Sequence, residues 1–160
     1  MSREMDIEPM YNIQLRTLLD VPVLAAEQLI GCIQKRPAWI VCNTNPSWKP
    51  DDGHWVAVHL DSDGRGFFFD SFGRDAVWFG FDQFMMDNCS EWMYNDKRLQ
   101  SFASNACGHH VAAFCVFTMN GMSYADHMSL FSDNVDVNDY IVVKWLDLWN
   151  RFQCTYNNKS

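Results

Sequence analysis

The chain has little of what marks a zinc domain, a nucleic-acid-binding protein or a membrane protein. Its 6 cysteines include no C-x-x-C pair, the strongest zinc signature. Only 12 lysines and arginines oppose 20 aspartates and glutamates, and a formal charge of -8 disfavours binding to a phosphate backbone. The start "MSREMDIEP" has no apolar signal segment, and charges interrupt the longest apolar stretches. We therefore expect an intracellular protein without metal, nucleic acid or membrane partners.

What the chain does have is apolar and aromatic residues in the proportion of a folded protein. Hydrophobic residues make up 48% of its 160 positions, with 12 Phe and 7 Trp. This length suits one domain with a well-packed core, and we expect a single domain over 1–160. The cysteines lack the dense spacing of a secreted disulfide scaffold, so most should be free thiols in a reducing compartment.

Strand signals dominate the first half of the chain. Residues 22–31 carry helix formers and end at Gly31, which predicts a helix, and the β-branched "AWIVCNT" predicts a buried strand. Residues 43–53 form a polar, proline-containing loop. The clearest signal follows, because "HWVAVHL" and "GFFFDSF" flank an Asp-Gly turn and predict a β-hairpin.

Helix signals dominate the second half. Residues 76–88 are helix-like in spacing and precede a loop, and residues 107–121 have small and apolar residues in helical register. Two more helices are predicted over 123–131 and 136–152. One strand, a hairpin and several helices indicate an α+β domain with a central sheet packed against helices.

Cys107 has three readings from the residues alone: a nucleophile, a metal ligand or a buried core residue. As a ligand it would belong to a loose cluster with His109, His110 and Cys115. As a nucleophile it would lie in the first turn of a helix, where the helix dipole favours a thiolate. Gly108 beside it would leave space for a substrate.

The hairpin supplies partners for a nucleophile. His54 and Asp70 should lie near each other at its open end, within a modest bulge of direct contact, so that the carboxylate can orient the imidazole. Gln100 and the Cys107 N–H could stabilise an oxyanion. Trp55 either shields the histidine or belongs to the core.

The other histidines have weaker readings. His109 and His110 are adjacent in a predicted helix, so at most one of them lines the cleft, and His109 is the cleft candidate. His59 and His127 have no supporting partner in the sequence and are predicted to be solvent-facing or structural.

The order His54, Asp70, Gln100, Cys107 resembles that of the adenovirus-type cysteine endopeptidases, the adenain family. The resemblance rests on His54-Trp55, on "DSFG" from Asp70 and on Gln100 seven positions before "CG", and it spans about residues 36 to 120. It implies a papain-like fold with the catalytic Cys107 at a helix N-terminus, His54 as base, Asp70 as its orienter and Gln100 in the oxyanion hole. SUMO-specific proteases share this order but place an Asp directly before the cysteine, where this chain has Ala106.

The resemblance also implies substrates and partners. Adenovirus-type enzymes cleave capsid and core precursor proteins, often after small residues such as Gly, in the host nucleus or cytoplasm and in the virion. Their activating viral peptide forms a disulfide with a cysteine, and Cys89 matches that position; a plain thiol is the alternative reading. The chain is shorter and more acidic than the adenoviral enzymes, so we do not expect it to use DNA as they do. Its compact size suggests that the chain comes from a divergent virus or a Polinton-like element.

Two alternative functions stay open. One is an isopeptidase of the same architecture, acting on ubiquitin or SUMO conjugates. The other is a non-catalytic virion scaffold protein that keeps the fold, in which Cys107 would be unreactive.

Overall fold

A five-stranded mixed sheet organises the protein. The computed structural model describes residues 6–32, 35–49 and 53–157. The three central strands are antiparallel, and each edge strand pairs in parallel with its neighbour. In spatial and chain order the strands are β1 (Val23–Leu24), β2 (Ala38–Asn43), β3 (Trp55–Leu60), β4 (Arg65–Phe69) and β5 (Glu91–Tyr94).

Helices cover both faces of this sheet, so the fold is α+β. Short 3₁₀ turns at Ala26–Gln28 and Ala76–Phe79 supplement them. No helix in the described parts of the chain is long and apolar enough to cross a membrane. The helices are α1 (Asn12–Leu18), α2 (Asp82–Asn88), α3 (Cys107–Met119), α4 (Tyr124–Ser129) and α5 (Val135–Asn157).

The β3–β4 hairpin has the predicted form. Gly64 supplies the positive φ of +86° at the turn. Pairing is regular from Leu60 opposite Gly66 to Ala57 opposite Phe69, so the predicted bulge is not needed in this ladder. Alternate residues of both strands enter two separate apolar clusters, one on each face of the sheet.

Helix α3 is apolar on all sides and is buried accordingly. Nine of its 13 residues are buried, because the helix packs on β3 and β2 on one side and on α1 and α5 on the other. This packing fixes the helix N-terminus, and therefore Cys107, close to the start of β3.

Several predicted elements differ from the structure. Residues 22–31 form β1 and a 3₁₀ turn instead of a helix, because Val23 and Leu24 pair with β2 and tertiary pairing overrides helix propensity. Gly80, with φ of +77°, splits residues 76–88 into a 3₁₀ turn and α2. The predicted loop after α2 contains β5, and α1 was not predicted. Residues 50–52 of the predicted loop lie outside the described residues.

Candidate active site

His54 and Asp70 meet where the hairpin opens. His54 directly precedes β3 and Asp70 directly follows β4, and the distance from Nε2 of His54 to Oδ1 of Asp70 is 2.5 Å. Asp70 is fully buried, while 15% of the His54 side chain is exposed. Phe72 stacks on the imidazole with 4.8 Å between ring centroids. The predicted pairing of this base and this acid is therefore present.

The second oxygen of Asp70 is held by Arg74. The carboxylate Oδ2 accepts hydrogen bonds from Arg74 Nε at 2.9 Å and from its backbone N–H at 3.1 Å. The Asn95 side chain makes two hydrogen bonds to the backbone of Asp70. Its Oδ1 accepts from the Asp70 N–H, and its Nδ2 donates to the Asp70 carbonyl. Burial raises the pKa of Asp70, but the bond and charge of His54, joined by Arg74, hold that pKa below its ordinary value.

Cys107 is the first residue of α3, and its thiol lies close enough to the His54 imidazole for each group to shift the pKa of the other. Burial raises the pKa of the thiol, but the bond and charge of His54 and the Trp55 and Gly108 N–H groups hold it below its ordinary value. Burial also opposes the charged form of His54, yet its bonds to Asp70 and Cys107 raise its pKa to about 9. The two shifts favour a thiolate–imidazolium pair.

Gln100 is buried and its amide has a defined orientation. Its Oε1 accepts a hydrogen bond of 2.5 Å from the Ser71 hydroxyl, which follows Asp70 in the chain. Its Nε2 donates to the Ser104 carbonyl at 3.0 Å and approaches the Ser104 hydroxyl at 3.3 Å. The amide donor is therefore turned into the loop that leads to Cys107.

Trp55 and Gly108 form a closed wall beside the cysteine. Trp55 belongs to the core cluster on the α3 face, and its indole N–H donates to the Met10 carbonyl at 2.9 Å. A Cβ on Gly108 would lie 2.8 Å from the Cβ of Met10 and 3.4 Å from Cδ1 of Trp55. The space expected for substrate beside Gly108 is filled by this chain itself.

The two histidines that follow Gly108 have different surroundings. His109 is half-buried, and burial with the neighbouring His110 lowers its pKa to about 4, so it is neutral. His110 is fully buried and contacts Asp139 on α5. His110 is thus a core residue, and His109 stays the cleft candidate of the pair.

His59 and His127 were predicted to be solvent-facing or structural, and the structure supports the structural alternative for both. His59 stacks on Trp39 and bonds to the Tyr124 hydroxyl, a partner that the sequence did not reveal. His127 is fully buried among aromatic rings, and burial lowers its pKa to about 4. Among the described residues, neither of its ring nitrogens has a hydrogen-bond partner.

The cysteine and histidine pattern forms no metal site in the described ranges 6–32, 35–49 and 53–157. Cys115 is fully buried, and burial raises its pKa to about 12, so this predicted ligand of the loose cluster is a core thiol. Cys89 directly follows the last residue of α2 and lies two positions before β5. Its thiol donates to the Met85 carbonyl, and burial raises its pKa.

Sequence reasoning missed four residues of this site: Met10, Ser71, Arg74 and Asn95. Arg74 lies four positions after Asp70, a local spacing that could have indicated an ion pair. Met10 is 45 positions from the indole it contacts, and nothing local indicates that approach.

Comparison with known proteins yields a fold and no family. No family model matches the chain, and no curated protein matches it. One similar solved structure is the central domain of the uncharacterized Lpg1148 protein from Legionella pneumophila. It has a TM-score of 0.52 at 15% identity, and the match covers 91% of this chain and 97% of that one. This likeness shows the α+β fold.

Proposed function

We propose that the protein is a cysteine endopeptidase with an adenain-like, papain-like arrangement. One observation carries the proposal: the imidazole of His54 lies 2.5 Å from the Asp70 carboxylate and also interacts with the thiol of Cys107, whose pKa it lowers. A nucleophile, a base and an orienter in one chain of contacts form the constellation of covalent acyl transfer.

The reaction follows from these contacts. His54 takes the thiol proton, and the Cys107 thiolate attacks the scissile carbonyl carbon to form a C–S bond. The carbonyl oxygen becomes an oxyanion, which the Cys107 N–H and the Gln100 amide stabilise. For this, the Gln100 N–H gives up its long contact with the Ser104 hydroxyl. The imidazolium protonates the leaving amine, and water then hydrolyses the thioester.

The resemblance to adenovirus-type enzymes supports the choice of substrate. We propose polypeptide substrates, the capsid and core precursors of a virus or Polinton-like element, cleaved in the host nucleus or cytoplasm and in the virion. The formal charge of -8 supports polypeptides over nucleic acid as partners.

An activating viral peptide linked to Cys89 is part of the same proposal. Cys89 is half-buried two positions before β5, which lies at one edge of the sheet in the described residues and could pair there with an extended peptide. Its raised pKa makes thiol exchange slow at neutral pH. Mass spectrometry of protein from particles should find Cys89 in a mixed disulfide, and an unmodified Cys89 in fully active material would contradict it.

The first experiment measures the alkylation rate of Cys107 by iodoacetamide against pH, using peptide mass spectrometry. We expect fast alkylation well below the free-thiol pKa of about 8.5, and slow alkylation of the exposed Cys154 in the same sample. Equal rates at the two cysteines would refute the ion pair and favour a non-catalytic scaffold protein.

The second experiment identifies the substrate class. Wild-type protein should cut a peptide library, Cys107→Ser should cut none, and Cys154→Ser should match the wild type. A chain that ignores the library but is labelled at Cys107 by a ubiquitin-like or SUMO probe would instead be an isopeptidase.

A further inference from the structure

A second histidine–aspartate pair lies behind Cys107, in the interior. His110 is the fourth residue of α3, and its Nε2 is 2.8 Å from Oδ1 of Asp139 on α5. His110 is fully buried and Asp139 is 3% exposed. A carboxylate so deeply buried is costly unless every oxygen is used, so its other contact is informative.

The other oxygen of Asp139 holds the loop that carries Gln100. The backbone N–H of Ser101 donates to Oδ2 of Asp139 at 3.2 Å. The neighbouring Asn138, also fully buried, donates from Nδ2 to the Leu99 carbonyl at 3.2 Å. Residues on both sides of Gln100 are thus tied to the first turns of α5.

The opposite side of this loop is tied to the end of β4. The Ser71 carbonyl accepts the backbone N–H groups of Leu99 at 2.8 Å and Gln100 at 3.1 Å. The Ser71 hydroxyl donates to the Gln100 side chain, which sets the direction of the amide. The Gln100 loop is therefore bound on one side by Ser71, just after β4 and Asp70, and on the other side by α5.

We propose that Asp139 is a positioning residue, which holds the Gln100 amide and the start of α3 in register so that an oxyanion forms between them. The proposal rests on the proposed function. It assigns no proton transfer to His110, because the Nδ1 of this ring is buried without a partner in the described residues. The His110–Asp139 pair links α3, α5 and the loop that carries Gln100.

Asp139→Asn is the test, since it keeps the shape of the side chain and replaces one of its two acceptor oxygens with an amide group that cannot accept a hydrogen bond. Removing an oxyanion donor costs about 10²–10³-fold in rate, so we expect kcat to fall about 10²-fold with KM almost unchanged. Alkylation of Cys107 by iodoacetamide creates no oxyanion, so its pH profile should stay as in the wild type. Asp136→Asn, an exposed acid in the same turn of α5, is the matched control and should change neither.

A second variant tests whether the loss of kcat comes from a displaced Gln100 amide or from a destabilised fold. His110→Phe with Asp139→Leu replaces the buried pair by apolar side chains, a change that buried ion pairs often tolerate. It should fold, alkylate like the wild type and still show the low kcat, because Ser101 N–H has no acceptor. Full activity in either variant, or an equal loss of alkylation and cleavage, would overturn the proposal.

A readout without catalysis keeps the two proposals distinct. The side-chain amide resonance of Gln100, assigned by its loss in Gln100→Glu, should shift in Asp139→Asn and stay in place in Asp136→Asn. If the wild type cleaves nothing, the proposed function is wrong, and this resonance still decides whether Asp139 positions Gln100. An unmoved resonance in Asp139→Asn would refute the positioning role.

Discussion

The two histidine–aspartate pairs of this protein are joined through the same atoms, but the pKa values of their histidines shift in opposite directions. His54–Asp70 and His110–Asp139 both join Nε2 to Oδ1, at 2.5 and 2.8 Å. The pKa of His54 is raised to about 9, despite its burial, by Asp70 and Cys107. Burial lowers the pKa of His110 although Asp139 opposes it. The carboxylate partner alone therefore does not decide whether an imidazole carries charge.

The difference lies in the group beside the pair and in burial. His54 has a sulfur that can take the negative charge and keeps part of its surface in solvent, so the cation is stabilised. His110 is fully buried, and its Nδ1 has no partner in the described residues, so the neutral ring is preferred. Under the proposed function, the first pair moves a proton, and the second holds α3, α5 and the Gln100 loop together.

His54→Ala should have the largest effect in this comparison, because it removes the base and leaves the interior pair intact. We expect cleavage to fall on the order of 10⁶-fold, as when the base of a catalytic triad is removed, and the alkylation midpoint of Cys107 to move up towards about 8.5. Library cleavage and peptide mass spectrometry measure both. His127→Phe, which removes a buried imidazole that hydrogen-bonds to neither pair in the described residues, should leave both unchanged, and similar losses in the two variants would contradict the assignment.

Arg74→Gln should have an intermediate effect, because it removes the charged partner from the second oxygen of Asp70. We expect a fall of about tenfold in kcat/KM, the usual size for one hydrogen bond to a charged group. The pKa of Asp70 should rise, which moves the acid limb of the pH–rate profile to higher pH. Arg98→Gln is the control, since Arg98 is exposed over the Phe102 ring. An unchanged profile in Arg74→Gln would show that Asp70 needs only His54.

The smallest effect concerns stability against pH, where the histidines act in opposite directions. His109 and His127 have pKa values lowered to about 4 from 6.5, so the unfolded chain binds more protons between these values, and stability falls as pH falls through this window. The raised pKa of His54 stabilises the fold fully below 6.5, and that contribution is lost as pH rises towards 9.

His127→Phe tests the acid side of this prediction. It removes two buried nitrogens that lack partners and should add about 1 kcal/mol at neutral pH, with a weaker loss of stability at pH 4.5. Urea unfolding at pH 4.5, 7 and 9 measures this stability. His54→Ala should reduce the pH dependence of stability only between pH 7 and 9. A variant as acid-sensitive as the wild type would show that His127 does not contribute.

Local patterns were enough to predict the hairpin, α3 and the contact between His54 and Asp70. Those residues adjoin strands whose alternation and turn are encoded within a few positions, so their meeting follows from register. The contact of Asp139 with His110 spans 29 positions, and that of Trp55 with Met10 spans 45. Such contacts depend on how α5 and the N-terminal segment pack on α3, which no local pattern encodes. The predicted helix at 22–31 failed for the same reason.

The anchoring of the Gln100 loop by α5 sets the order in which the site is completed during synthesis. A ribosome that has released residues up to Met119 has delivered His54, Asp70 and Cys107, because chains emerge from the N-terminus. Asn138 and Asp139 are still inside the tunnel at that stage. The Leu99 carbonyl and the Ser101 N–H therefore lack the two side chains that bind them in the folded protein. Under the proposed function, the nascent chain carries its thiol before both ties of the Gln100 loop can form, which would delay hydrolysis until α5 has been translated.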